Sequence, residues 1–235
     1  MSFRAVIFDA AGTLMDLRET VGETYSQFAA RQEVFLSPGH LQDAFERYVA
    51  SAETPPRLQS SMDEVVAAER AWWHSVVRGT FRTADGTAAF RDFETFFSEL
   101  YDYYGSGKAW VLRSGASNGL SRLRESGIRV GILSNFDHRL PQILDDLGIL
   151  QGVDAVVLPS NSGERKPDAA AFAGALARLA VPASDAIYVG DDPRFDLEAA
   201  RLCGLRAVDV ARIQSWDELP ASLAALATLG ETESG

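Results

Sequence analysis

Four times along the chain a short β-favouring apolar run ends abruptly on a polar residue, and apolar positions at helical spacing flank the later runs. The runs are Phe3–Phe8, closing on Asp9; Ile128–Leu133, closing on Ser134-Asn135; Ala155–Leu158, closing on Pro159-Ser160; and Ala186–Val189, closing on Gly190-Asp191-Asp192. Leu120/Leu123, Leu140/Ile143/Leu144/Leu147, Phe172/Leu176/Leu179 and Leu197/Ala200 mark the helix faces. Strands alternating with helices join in parallel through right-handed crossovers. The fold class is therefore α/β, a doubly wound parallel sheet with helices on both faces. Open sheets of this kind bind ligands at the carboxyl ends of their strands. Asp9, Ser134 and Asp191 are expected to meet at that rim.

From about Asp16 to Gly107 the alternation stops. Thr20-x-x-Glu23 and Ser61-x-x-Glu64 are capping-box patterns, Ser37-Pro38 opens another helix, and a fourth pattern runs Phe90/Phe93/Phe97/Leu100/Tyr104. Four helices without a strand signal predict a helical bundle inserted over residues 16–107, with residues 1–15 and 108–235 forming one core domain. Between Asp16 and Trp110 lie 16 of the 23 aromatic residues. A small bundle needs such bulk to build a core, and single aromatics there are also candidates to line a substrate pocket.

The 235 residues carry a formal charge of −11, a field that repels nucleic-acid backbones and anionic membrane surfaces. Neither is expected as a partner. A small phosphorylated molecule remains compatible, because a bound divalent cation reverses the sign inside a cleft. No uncharged apolar run approaches the ~18 residues of a membrane span, and the opening MSFRAVIFDA turns acidic too early for a signal peptide. The single cysteine, Cys203, excludes an intramolecular disulfide. A cytoplasmic monomer or homodimer is the expectation.

Asp9 ends a strand with Gly12 and Thr13 just behind it, where a carboxylate held by packed backbone can attack phosphorus or carbon. Ser134-Asn135 offers a hydroxyl and N–H groups to an anionic oxygen. Lys166, one of only two lysines, can fix a nucleophilic carboxylate and balance transferred charge. Asp191, Asp192 and Asp196 crowd one strand-to-helix turn, and carboxylates at that density repel one another unless a hard cation such as Mg2+ sits among them.

In chain order, Asp9 through Leu14, Ser134-Asn135, Lys166-Pro167-Asp168 and Gly190-Asp191 through Asp196 resemble the four motifs of the haloacid dehalogenase (HAD) superfamily of hydrolases. The likeness is to subfamily I, whose helical C1 cap is inserted after the first motif, and it covers residues 3 to about 210. It implies a Rossmann-like core with Asp9 as nucleophile, a transferring group bound by Ser134 and Asn135, and Lys166 positioning and binding that group. It further implies Mg2+ held by Asp9, the Ala11 carbonyl and Asp191, with Asp196 a direct ligand or a support behind one. Asp192 either replaces or supports Asp191. The inserted helices would form a cap that closes over a small phosphorylated substrate and expels water.

One position departs from the pattern. Most phosphatases of the superfamily carry Asp two residues after the nucleophile, as acid for the leaving group and then base for water, and here that residue is Ala11. General acid–base catalysis contributes ~10²–10⁴-fold. The expected activity is accordingly a Mg2+-dependent phosphohydrolase working through an aspartyl-phosphate. It would be slow on alkyl phosphates, its acid missing or drawn from Asp137, His138, the cap or the substrate. Phosphonoacetaldehyde hydrolases resemble the chain in this Ala but need a cap lysine, and none lies between Asp16 and Gly107. Two alternatives stand beside it. One is a catalytically impaired member that binds a phosphorylated ligand or a protein partner. The other is a 2-haloacid dehalogenase, which needs no leaving-group acid but has no use for three clustered carboxylates.

Overall fold

The computed structural model describes residues 3–54 and 61–229, with side chains to residue 226; the chain ends and residues 55–60 of the inserted segment lie outside that description. The chain divides into two compact units, Met1–Asp16 with Val111–Gly235, and Leu17–Trp110. In chain order the strands are β1 (Ala5–Phe8), β2 (Met15–Leu17), β3 (Trp110–Leu112), β4 (Arg129–Leu133), β5 (Ala155–Val157), β6 (Ala186–Gly190) and β7 (Arg206–Asp209). The helices are α1 (Val21–Ala30), α2 (Pro38–Ser51), α3 (Met62–Ala84), α4 (Phe93–Tyr104), α5 (Ala116–Glu125), α6 (Leu140–Asp146), α7 (Pro159–Ser162), α8 (Ala169–Leu179), α9 (Ala199–Leu202) and α10 (Leu219–Leu229). β2 and β3 pair as a two-stranded sheet where the chain crosses between the units.

The first unit is built on a five-stranded sheet of order β5-β4-β1-β6-β7, parallel throughout. This is the α/β fold with flanking helices that the alternation predicts. Every residue of β1 and β6 is buried, so these central strands read as continuous apolar runs; β5 and β7 at the edges are half-buried. The fifth strand, β7, has no counterpart among the sequence runs. Its two apolar residues, Ala207 and Val208, stand between Arg206 and Asp209 and are too few to give a signal.

Side-chain alternation assigns the two faces. Ile7 pairs with Tyr188, and Phe8 with Val189, so Phe8 and Tyr188 point to opposite sides. Tyr188 meets Phe172 of α8 at 5.3 Å between ring centroids, in a cluster with Ile7, Leu133, Val157 and Leu179. Phe8 meets Trp216 at 6.1 Å on the other face, where α10 packs on α5. Helices therefore cover both sides. The shared register also brings the carboxyl ends of β4, β1 and β6 level: Phe8 lies beside both Ile132 and Val189, so Asp9, Ser134 and Gly190 emerge within one residue of a common line.

In the second unit, α1 and α3 begin with complete capping boxes, Thr20 with Glu23 and Ser61 with Glu64, while Ser37 caps α2 and Asp92 caps α4. Each cap stabilises its helix by about 1 kcal/mol. Tyr25, Phe28, Leu41, Phe81, Phe96, Phe97 and Leu100 fill the interior, with Tyr25 stacked on Phe81 and Phe81 edge-on to Phe96. Much of the aromatic excess is thus core. No described helix is long and apolar enough to cross a membrane. Cys203 lies against the core of the first unit, and burial pushes its thiol up, as for a structural rather than a reactive cysteine.

Candidate active site

Asp9 extends β1 by one residue, its N–H donating to Val189 O at 2.9 Å, so the sheet itself orients the carboxylate. The turn after it requires glycine. Gly12 has φ +85°, and a Cβ there would lie 2.5 Å from Asp191 Oδ2. Thr13 Oγ1 donates to Asp191 Oδ1 at 3.3 Å. Arg113 braces the same turn through the carbonyls of Gly12 (2.7 Å) and Thr13 (2.9 Å), and pairs with Asp16.

Ser134 follows β4, anchored by its N–H on Val157 O at 3.1 Å. Its hydroxyl accepts from the Phe136 N–H at 3.3 Å, which leaves the hydroxyl proton to be donated elsewhere. Asn135 exchanges two hydrogen bonds with the main chain of Lys166: Nδ2 donates to Lys166 O at 2.9 Å, and Lys166 N–H donates to Oδ1 at 2.8 Å. The amide therefore ties the second motif to the third. Asp137 is held in a two-point pair by Arg139, whose Nε and Nη2 reach Oδ1 at 2.9 Å and Oδ2 at 2.6 Å. That two-point pairing fixes the carboxylate in place.

Lys166 is buried, and its three ammonium protons are all engaged: Asp9 Oδ1 at 2.7 Å, Asp196 Oδ1 at 2.5 Å and Tyr188 Oη at 3.0 Å. Asp196 is equally enclosed. Its Oδ2 accepts the N–H groups of Asp191 (3.3 Å) and Asp192 (3.2 Å), and a Cβ on Gly190 would lie 2.5 Å from that oxygen. Asp192 is occupied locally, its Oδ1 capping the next helical turn through Arg194 N (2.8 Å) and Phe195 N (2.6 Å).

Asp9, Asp191 and Asp196 each present an oxygen within 4.8 Å of the others, well inside the ~8 Å screening length of physiological salt. Three carboxylates thus face one ammonium. Burial raises the Asp9 pKa above the ordinary carboxylate value; Lys166 pulls it back and the Asp196 charge pushes it up. Asp191 is raised too, first by burial and then by Asp196. An all-oxygen donor set carrying surplus negative charge fits a hard divalent cation. Because Asp196 already accepts four hydrogen bonds, Asp9 and Asp191 are the two of the three carboxylates with more capacity left for an ion.

Tyr188 and Arg113 are the participants that the motif reading misses. A tyrosine inside a wholly apolar buried strand is itself a signal, since its hydroxyl must find a partner. Arg113 gives none, because it acts through backbone carbonyls about a hundred residues away in sequence.

The family model for haloacid dehalogenase-like hydrolases matches residues 3–204. Haloacid dehalogenase-like hydrolase domain-containing protein 3 of Danio rerio is 31% identical over 241 residues, spanning 94% of this chain and 96% of that protein. Among solved structures, a HAD phosphatase from Thermococcus onnurineus superposes with a TM-score of 0.62 at 20% identity, covering 94% of this chain and 98% of that one. The 2-haloacid dehalogenase from Pseudomonas syringae pv. Tomato DC3000 gives 0.61 at 20% identity, covering 95% and 99%. Both share the fold.

Proposed function

The chain belongs to the haloacid dehalogenase-like hydrolases, and on that premise we propose that it is a Mg2+-dependent phosphohydrolase acting on a small phosphorylated metabolite through an aspartyl-phosphate. The observation that carries this reading is the meeting of Asp9, Asp191 and Asp196 within 4.8 Å beside a single ammonium. Asp9 attacks phosphorus as the bond to the leaving oxygen breaks, and water then attacks the aspartyl-phosphate to restore the carboxylate. The Ser134 hydroxyl donates to a phosphoryl oxygen. Lys166 keeps Asp9 oriented and balances the charge that builds up during transfer. Mg2+ bound by Asp9, Asp191 and the Ala11 carbonyl would supply Lewis-acid neutralisation of the phosphoryl oxygens. Asp196 holds Lys166 from the far side.

Ala11 narrows the substrates. With no carboxyl group two residues beyond Asp9, leaving groups that depart unprotonated, such as acyl or aryl oxygens, are favoured over alkoxides. p-Nitrophenyl phosphate and a panel of phosphorylated metabolites, each assayed with Mg2+ and with EDTA, test this directly. Phosphate release that requires Mg2+ is expected. Ala11→Asp should raise alkyl-phosphate turnover by about 10- to 100-fold. EDTA-insensitive halide release from 2-haloacids would replace the reading with dehalogenation. Tight ligand binding without turnover would favour the impaired-member reading, for which Ala11 is the supporting feature.

Metal binding also has a signature in stability. The raised carboxyls of Asp9 and Asp191 take up protons in the folded state at a pH where the unfolded chain, with Asp near 3.9, does not. Their contribution to the stability of the metal-free protein therefore grows as pH falls through the raised values. A bound cation holds both groups ionised and removes that gain. Mg2+ at about 100 times its Kd stabilises by about 2.7 kcal/mol, roughly 5–10 °C in melting temperature. The Mg2+-minus-EDTA difference should be larger at neutral pH than at an acidic pH where the raised carboxyls take up protons. Equal differences at both pH values would count against the assignment of the ion to these carboxylates.

A further inference from the structure

Tyr188 is fully buried in β6, and its ring packs on Phe172 in the apolar layer under α8. A phenylalanine would fill that layer equally well. The hydroxyl therefore needs a reason to be there, since an unpaired one in a dry core is destabilising. Its surroundings supply the reason. Oη accepts from Lys166 Nζ at 3.0 Å and lies 2.8 Å from Asp196 Oδ1 and 3.2 Å from Leu133 O. Since β1 lies between β6 and β4 in the sheet, the phenol reaches across β1 to tie β6, the carboxyl end of β4 and the Lys166 loop to one point.

An ammonium has three protons to place, and in a buried site each unplaced one is costly. Asp9 and Asp196 take two. The third partner must accept without adding charge, because a further carboxylate would deepen the negative surplus and a water would leave the ammonium free to tilt. A neutral hydroxyl held by two other protein groups meets both conditions. Burial and the neighbouring carboxylates also keep Tyr188 protonated.

We infer that the Tyr188 hydroxyl is the third anchor of Lys166, a positioning residue that keeps the ammonium on Asp9 when an anionic phosphoryl group enters and competes for it. The kinetic consequence rests on the phosphohydrolase reading; the anchoring itself does not. Without the hydroxyl, Lys166 can swing toward the incoming oxygens and leave Asp9 poorly oriented. Substrate binding then survives and the chemical step suffers.

Tyr188→Phe removes one oxygen and keeps the ring packing. In the full-length protein its kcat should fall by about 10- to 100-fold, the effect of one hydrogen bond to a charged group, with KM within about twofold of wild type. A second readout needs no turnover. Only Lys108 and Lys166 carry side-chain amines, so acetylation by acetic anhydride, quantified by peptide mass spectrometry, reports Lys166 against Lys108 as internal reference. The Lys166-to-Lys108 rate ratio should rise about 10-fold in Tyr188→Phe. An unchanged ratio in a variant that melts like wild type overturns the anchoring, and an unchanged kcat, or KM and kcat rising and falling together, overturns its kinetic role. If the wild-type protein shows no Asp9-dependent phosphate release on any ester, the phosphohydrolase reading fails, while the acetylation ratio still decides whether Tyr188 holds Lys166.

Discussion

Asp9→Asn is expected to remove phosphate release by about 10⁴-fold or more while leaving the protein folded and, in EDTA, melting no lower than wild type. The two halves of this result have one cause. On the proposed mechanism Asp9 supplies the attacking oxygen, which an amide cannot replace, so no covalent intermediate would form. The same carboxylate is a burden on the fold. Its pKa lies above the ordinary carboxylate value because burial outweighs the pull of Lys166. A carboxyl whose folded-state pKa is raised opposes folding at neutral pH, where it must be ionised. Asparagine keeps the volume and removes that term. Lys166 retains Asp196 and Tyr188. Phosphate release, an intact-mass search for a phosphoryl adduct and a melting curve check the prediction together. Residual turnover above about one per cent would move the nucleophile to another residue.

The same tension explains what could be read from the sequence. Strand ends were legible because Asp9, Ser134 and Asp191 interrupt short apolar runs, and parallel topology sends such interruptions to one rim. The capping boxes at Thr20 and Ser61 were legible because their hydrogen bonds close within three residues. Interactions that close over long stretches of chain were not. Asn135 looks like a substrate ligand from its place beside Ser134, and nothing in the sequence signals that its amide also ties to the backbone of Lys166, 31 residues on. Asp191 and Asp192 are indistinguishable in the string Gly-Asp-Asp. They separate only when Asp192 is seen to cap its own helical turn while Asp191 meets Thr13, 178 residues away. β7 gives no sequence signal because half of its four residues are charged. Local patterns encode elements; the division of labour within a site is set by partners the pattern does not contain.

Lys166→Met should be the most damaging single change to the fold within the site, and a damaging one for catalysis. Methionine keeps the apolar stem of lysine, one atom shorter, but leaves Asp9, Asp191 and Asp196 with no ammonium among them. Removing one partner of a buried ion pair typically costs about 3–5 kcal/mol, which for a chain of this size is a fall of roughly 6–20 °C in melting temperature. Turnover should drop by about 10³-fold or more, since Asp9 loses both its orientation and its charge balance. Two conditions should restore part of the stability. Lower pH lets Asp9 and Asp191, already raised in the wild type, take up protons in the folded state, so the deficit narrows as pH falls. Mg2+ places positive charge back among the same oxygens and should raise the melting temperature of Lys166→Met by more than that of wild type. Catalysis should not return with either, because neither proton nor metal holds Asp9 at the angle that Lys166 imposes. A variant that melts like wild type in EDTA near neutral pH would mean that the three carboxylates are not crowded in solution, and that a divalent ion has no electrostatic reason to bind there.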